Sequence, residues 1–419
     1  MEVLPAYEDC VTKAFEQLDL KVNPELEHLV QQTLAAIDKE MRDISLKIYD
    51  LHELSMKEQK SHDLLTAFLE EKGFQVTRHA YGMDTAFTAE FGNGPGRRVG
   101  VCSEYDGLPG LGQGCGHNLI CISGIAVAMA LKAALEQNKI SGKVILFGTP
   151  GEEMSAGKIE MVKQRAFQDN VDACVMLHPS PMDGQYAKMI AVQHVNVEFI
   201  GKPTHASSSP WEGINALDAM VQLWNGVSMM RQQLEPTDRV HGIVTDGGQA
   251  PNIIPEHTSA MFFVRTYKYQ QLKRVMEKME QCFEGAALAT GCQVKWEWAD
   301  IPTKDVVQNH VMASTYAHYM EKTGITFPDI RVQEGGGGST DMGNVSYVVP
   351  SIHPMYGIHT TASNHTVEFT KAARTIQAHR DTMNASKCLA LTALELFNDR
   401  YFDAVKKDFE TTVPEDERN

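Results

Sequence analysis

A cysteine and a histidine stand one residue apart in GQGCGHNLI, at Cys115 and His117, inside a glycine-rich turn that leads into an apolar stretch. Upstream, SEYDG carries Glu104 and Asp106; downstream, GTPGEE carries the adjacent carboxylates Glu152 and Glu153, and LHPS carries His178. Thiolate, imidazole and carboxylate together suit zinc or manganese. Adjacent carboxylates on a turn point in different directions, so one can bind a metal while the other shuttles a proton. Each group taken singly also fits a plainer role. Two acidic residues suit a solvated helix N-terminus, a histidine after a strand often serves as a hydrogen-bonded loop residue, and Cys115 could be a core thiol. Cys115 also remains open as a nucleophile, because a glycine-rich loop entering a helix lowers a thiol pKa.

What joins these groups is their placement on the elements. Three short β-branched runs, RRVGVCSEYDG, GKVILFGTPGEE and VDACVMLHPS, are each followed by turn residues and separated by the helical patterns LICISGIAVAMALKAALEQN and AGKIEMVKQRAFQ. That alternation predicts a parallel α/β sheet, in which ligands bind beyond the carboxyl ends of the strands. The candidate ligands fall at successive strand ends. Ahead of the sheet, residues from about 25 to 75 read as a helical entry segment closed by a glycine and an extended QVTRHAYG.

From about 191 the pattern changes to β-α-β-β-α-β. MIAVQHVNVEFIGKPTH, HTSAMFFVRTY and CQVKWEWADI alternate as strands, while INALDAMVQLWNGVSMMRQQL and YQQLKRVMEKMEQCFEGAALATG are helical. After about 303, a helix in HVMASTYAHYMEKTG, a strand in SYVVPSIHP and one long helix in AARTIQAHRDTMNASKCLALTALELFND return to the first domain.

A formal net charge of -16 disfavours nucleic acid and anionic membrane as partners, since phosphate binding relies on clustered Lys and Arg. No uncharged apolar run reaches membrane-spanning length, and the acidic start lacks an apolar signal core, so the expected compartment is the cytoplasm. Eight cysteines without a C-x-x-C pair read as reduced thiols. GLPGLGQGCGHN does not satisfy G-x-G-x-x-G, no G-x-x-x-x-G-K-[ST] occurs, and GGSTD breaks the nucleophile-elbow pattern at its last position.

EYDGLPGLGQGCGHN, GTPGEE, LHPS, GKPTHASSSPWEGINALDA, QAPNIIPE, GGSTDMGNVSYVVP and SNHTVEF follow one another in a familiar order. On these motifs the chain resembles, over nearly its whole length, the aminoacylase and carboxypeptidase family of dinuclear metallopeptidases. Within it the likeness is to the branch holding aminobenzoyl-glutamate hydrolase and β-alanyl-lysine dipeptidase. The resemblance implies two divalent metal ions, zinc foremost with manganese or cobalt as alternatives, held by Cys115, His117, Glu153, His178 and His365. Glu152 would be the general acid/base. His205, in the KPTHA turn, would reach an active site, often the dimer partner's, and stabilise the oxyanion. Asn252 and Arg265 would hold the substrate carboxylate, a task suited to a planar guanidinium. His359 competes with His365 for the last ligand position; the NHTVEF context favours His365 and leaves His359 to line the pocket.

Two departures stand out. Glu104-Tyr105-Asp106 occupies the place of an H-x-D pair common in the wider family, as in relatives that use a cysteine ligand. Asn118 follows His117 where aspartate is common; it could still orient His117 by hydrogen bonding but adds no negative charge.

The expected protein is therefore a mixed, mainly parallel α/β catalytic domain (1–190 and 304–419) with an inserted α+β, ferredoxin-like lid and dimerisation domain (191–303). Its expected reaction is hydrolysis of the amide bond of N-acyl or N-aminoacyl amino acids, with a small amide or dipeptide as substrate and a homodimer formed through the lid. The competing readings are an amide-forming or acyl-transfer enzyme using the same site, and a catalytically silent binding homologue.

Overall fold

The computed structural model describes residues 23–333 and 337–418. Cys10, the acidic start of the chain and part of the glycine run at 335–338 lie outside them. Twelve strands occur among the described residues: β1 (Gln75–Arg78), β2 (Phe87–Gly92), β3 (Arg97–Ser103), β4 (Gly142–Gly148), β5 (Ala173–Val175), β6 (His178–Ser180), β7 (Ala191–Ile200), β8 (Arg239–Asp246), β9 (His257–Thr266), β10 (Gln293–Trp298), β11 (Ser351–Ile352) and β12 (Met355–Gly357). The chain forms two compact units. The second consists of Met189–Asp305 together with Gly337–Thr340, and the first of the remainder.

In the first unit a six-stranded sheet has the order β1-β2-β4-β3-β5-β11. β3 runs parallel to β4 and β5, and β5 parallel to β11, while β1 and β2 add an antiparallel edge. The sheet is thus mixed and mainly parallel. The helix His117–Glu136 lies at its centre and is apolar on nearly every side, because sheet strands and the helices Pro24–Leu51 and Ile376–Glu395 all pack against it. It has the length and composition to cross a membrane, but 89% of its apolar window is buried inside the protein, which makes it a core helix.

Several elements depart from the sequence reading. The helical entry segment is interrupted: it consists of two helices, Pro24–Leu51 and Gln59–Glu71, with residues 52–58 non-helical between them. Between them the Glu53 carbonyl accepts from Gly107 N at 2.8 Å, while the Glu53 carboxylate accepts from Lys60 N and Ser61 N. This tie to the loop after β3 overrides local helix propensity. The long C-terminal helix is present as Ile376–Glu395, a few residues shorter at each end than its pattern, and it is flanked by Val367–Ala373 and Asp399–Thr412; the three are started by side-chain caps from Thr375, Thr366 and Asn398 respectively.

The strand expected in SYVVPSIHP shrinks to β11, preceded by a short helix, Met342–Ser346. Prolines bracket it. Although neither can donate to a ladder, the Pro350 carbonyl accepts from Cys174 N at 2.9 Å, the Ile352 carbonyl from Met176 N at 3.1 Å, and the Pro354 carbonyl from His178 N at 3.1 Å. β12 then pairs with β6 in parallel, with Met355 opposite His178. A broken but continuous parallel pairing thus carries the chain from Cys174 to His178.

The second unit is a β-α-β-β-α-β fold whose antiparallel sheet has the order β10-β7-β9-β8. Alternate residues of β7 turn inward, so that Val195, Val197 and Phe199 join Met220, Leu223 and Val227 of the helix Ala216–Met230 and Val275, Met279 and Phe283 of the helix Leu272–Thr290. β8 forms one edge of this sheet and leaves Ile243 and Val244 exposed.

Candidate metal centre

Just beyond β3 the chain turns Glu104 and Asp106 inward on either side of Tyr105; all three are buried. Tyr105 points into the core, where its hydroxyl donates to the Thr85 carbonyl and its ring stacks beside Phe87. Further on, the loop enters the helix His117–Glu136 through Gly116, whose φ of 78° suits glycine. A Cβ there would meet Pro179 Cγ at 2.7 Å. The bend sets Cys115 and His117 beside one another, and the Cys174-to-His178 pairing delivers His178 to the same place.

Each imidazole is oriented by its other nitrogen. His178 Nδ1 lies 2.8 Å from the Pro179 carbonyl, which as an acceptor fixes the proton on Nδ1 and leaves Nε2 facing Cys115 Sγ at 3.4 Å. His117 Nδ1 lies 2.9 Å from Asp106 Oδ1, turning its Nε2 toward Glu104 Oε2 at 3.4 Å, Glu153 Oε1 at 3.8 Å and Glu152 Oε2 at 3.9 Å. Asp106 uses its second oxygen to accept from Glu153 N at 3.1 Å. His365, at φ 65°, is anchored by its backbone N to the Gly114 carbonyl and brings Nε2 within 3.4 Å of Glu153 Oε2.

Donor atoms gather in three groups, each with all members within 4.8 Å of one another: Cys115, His117 and His178; Cys115, Glu153 and His365; and Glu104, His117 and Glu152. Cys115 belongs to two of them and so can bridge. Glu104 Oε2, His117 Nε2 and Glu153 Oε1 are buried without any hydrogen-bond partner. Uncompensated buried polar atoms are costly, and soft and hard donors converging on one point fit divalent cations.

The electrostatics follow from the crowding. Burial pushes the Cys115 thiol up, but His178 and His117 outweigh it and hold it at about 5, so that sulfur is a thiolate near neutrality. The Glu152 carboxyl is pushed well up by burial and by Glu104, Asp341 and Glu153, as suits a group that exchanges protons. Burial also raises Glu153, but its hydrogen bond to His365 and the nearby His117 bring it below the ordinary carboxylate range. His365 is raised to about 10 by its hydrogen bonds to Cys115 and Glu153. Metal binding would displace such protons.

Cys115, His117, Glu152, Glu153, His178 and His365 are thus brought together, while His359 is not among the grouped donors. It is exposed, and its Nδ1 lies 2.8 Å from Asp381 Oδ2. Asn118 does not orient His117. Its side chain donates to Ser45 Oγ at 2.9 Å and the Ala373 carbonyl at 3.2 Å, because successive helical residues point about 100° apart. The orienting role belongs to Asp106.

In the second unit, His205 is exposed and its Nδ1 accepts from Ser207 N and Ser208 N at 3.2 and 3.3 Å, which leaves Nε2 as the donor. Asn252 is adjacent, its carbonyl accepting from Ala206 N at 3.0 Å. Arg265 is half-buried and steadied by Ser339 Oγ at 2.9 Å and His241 Nε2 at 3.2 Å.

The fold adds residues that the sequence does not single out. Lys158 is fully buried between Glu104 and Asp341. Glu58 accepts from Gly151 N, next to Glu152, and Asn364 Nδ2 lies 3.8 Å from Cys115 Sγ. A lysine opening an apolar helix in AGKIEM is the one available signal.

Residues 192–290 match the peptidase dimerisation domain of the M20 family. Across 410 residues the chain is 40% identical to the Xaa-Arg dipeptidase of Mus musculus, covering 94% of this chain and 95% of that protein. It is 26% identical to a p-aminobenzoyl-glutamate hydrolase subunit of Escherichia coli K12, covering 90% of this chain and 92% of the relative. A dinuclear metal binding peptidase of the M20 family from Bacillus subtilis shares the fold with a TM-score of 0.67 at 21% identity, over 87% of this chain and 99% of that one.

Proposed function

This chain belongs to the M20 peptidase family, a metal-dependent hydrolase of amide bonds, and we propose that it cleaves dipeptides whose C-terminal residue is arginine or another basic residue. The observation that carries the hydrolytic reading is the convergence of Cys115, His117, Glu153, His178 and His365 beside the protonatable Glu152. The preference for a basic residue is supported by the relative named Xaa-Arg dipeptidase, at 40% identity over nearly the full length of both chains. A net charge of -16 also favours approach of a cationic substrate.

When bound, two divalent ions polarise the scissile carbonyl and activate the attacking water. Zinc is the proposed metal because thiolate and imidazole donors suit it, with manganese and cobalt as the alternatives. Glu152 accepts the proton of the attacking water and passes it to the leaving amine. Asp106 keeps His117 in the tautomer that presents Nε2, and Pro179 does the same for His178. His205, with Nε2 as its donor, stabilises the oxyanion, Asn252 and Arg265 receive the substrate carboxylate, and His359 lines the pocket. The proposed assembly is a homodimer through the second unit, supported by the dimerisation-domain match and by the exposed Ile243 and Val244 on the edge strand β8. A cytoplasmic setting is proposed on the seven free cysteines among the described residues.

Metal analysis of the purified protein, combined with a panel of dipeptides and N-acyl amino acids tested on wild type and Glu152→Gln, checks this reading. The expected result is two metal equivalents, cleavage strongest for basic C-terminal residues, and a loss of about 100-fold or more in kcat for Glu152→Gln at unchanged metal content. A metal-loaded wild type that cleaves nothing in the panel overturns it.

A further inference from the structure

Lys158, near the start of the short helix Gly157–Lys163, has a side chain with no exposure to solvent. Its Nζ sits between Glu104 Oε1 and Asp341 Oδ1, the latter at 2.6 Å, and its backbone N donates to Asp341 Oδ2 at 2.9 Å. Asp341 thus grips this lysine at both the backbone and the side-chain end. The ammonium in turn fixes one oxygen of Glu104, and the other points elsewhere. Glu104 Oε2 is buried, lacks a hydrogen-bond partner and stands 3.4 Å from His117 Nε2, itself buried and unpartnered.

The Glu104–Lys158–Asp341 arrangement is incomplete by itself on two counts. The first is charge: one ammonium faces two carboxylates, so the triad carries one surplus negative charge, which Glu104 turns toward the donor atom of His117. A buried charge persists only when it is compensated. The second is distance. Two donors sharing a tetrahedral zinc, each about 2.0–2.2 Å from it, stand roughly 3.4 Å apart, and Glu104 Oε2 and His117 Nε2 have that spacing.

We propose that Glu104 is a further ligand of the cation held by His117, and that the buried Lys158 and Asp341 form a clamp that occupies Oε1 and leaves Oε2 for the metal. The inference rests on the dinuclear reading above and adds a donor to it. Lys158 and Asp341 are positioning residues in this scheme.

The test is a zinc titration of the metal-stripped protein against a chromophoric chelator, performed on wild type, Glu104→Gln and the triple variant Glu104→Gln, Lys158→Met, Asp341→Asn. Glu104→Gln leaves Lys158 paired one-to-one with Asp341, so the fold should persist. The triple variant replaces all three charged groups by neutral groups of similar size and so leaves no unpaired buried charge, a change that buried ion clusters often tolerate. The expected result is that one of two zinc equivalents weakens at least tenfold in both variants while the other keeps its wild-type affinity. Wild-type affinity for both equivalents in either variant overturns the proposal. Loss of the folded circular-dichroism spectrum in both also counts against the clamp. A wild type that binds no zinc defeats the dinuclear reading itself, whatever the variants do.

Discussion

Asp106 and His117 are joined by a 2.9 Å contact from Oδ1 to Nδ1, and the same carboxylate holds Glu153 N through Oδ2. One side chain therefore aims a histidine donor and fixes the backbone of a carboxylate donor at once. Replacing it by asparagine keeps the size but weakens both grips. Asp106→Asn should lower metal affinity and kcat/KM by about 10- to 100-fold, measured by chelator competition and steady-state kinetics; unchanged affinity would remove Asp106 from the orienting role.

Cys115 belongs to two of the three donor groups, with its thiol held at about 5. Cys115→Ala should lose bound metal and activity together, read by elemental analysis alongside the peptidase assay. Loss of activity at full metal occupancy would instead mark the sulfur as a nucleophile.

Glu58 carries a pH prediction. It is buried, accepts from Met56 N, Gly151 N and Thr85 Oγ1, and its carboxyl is raised to about 7 by burial and by Asp106. A folded pKa above the unfolded one makes a contribution that is full below the unfolded pKa and lost as pH rises through the folded one. In metal-stripped protein, stability should therefore fall from about pH 4.5 to about pH 7 by at most about 3 kcal/mol from this group. Glu58→Gln should lack that component, so that the variant gains on wild type as pH rises. Parallel urea-unfolding profiles for the two proteins across this range would refute the assignment.

The edge strand β8 exposes Ile243 and Val244 in a row. The proposed dimer should be seen for wild type in sedimentation velocity at micromolar concentration and give way to monomer in Ile243→Lys, because a charge on an edge strand opposes pairing. A dimer that survives this change would place the contact on another face of the second unit.

The legible and illegible parts of this chain divide along a physical line. Cys115, His117, Glu152, Glu153 and His178 are legible because each closes or follows a β-branched run, and the turn residues beside them announce the strand ends. Glu104 stands out by the same rule. Its partners do not, since Lys158 lies 54 residues and Asp341 more than 200 residues further on, and only the folded chain joins them. The breaks in the helical segments are hidden for a related reason. Glu53 and Thr375 stop or restart helices through contacts and caps that a hydrophobic period does not register. The short β11 reads as longer than it is because Val348, Val349 and Ile352 have strand propensity, while prolines on both sides cut the run. Asn118 draws attention by its difference from a commoner residue, yet the contact that matters for His117 comes from eleven positions upstream.

The hydrogen atom that Gly116 carries in place of a side chain gives a final consequence. Pro179 Cγ would lie 2.7 Å from any Cβ there, and Pro179 directly follows His178 while Gly116 directly follows Cys115. The empty space at 116 thus works as a spacing gauge between the sulfur and the imidazole that face each other at 3.4 Å. Even alanine would act as a shim, widening that gap without altering a single donor, so a chain can retain every metal-binding residue and still lose the centre through one added methyl.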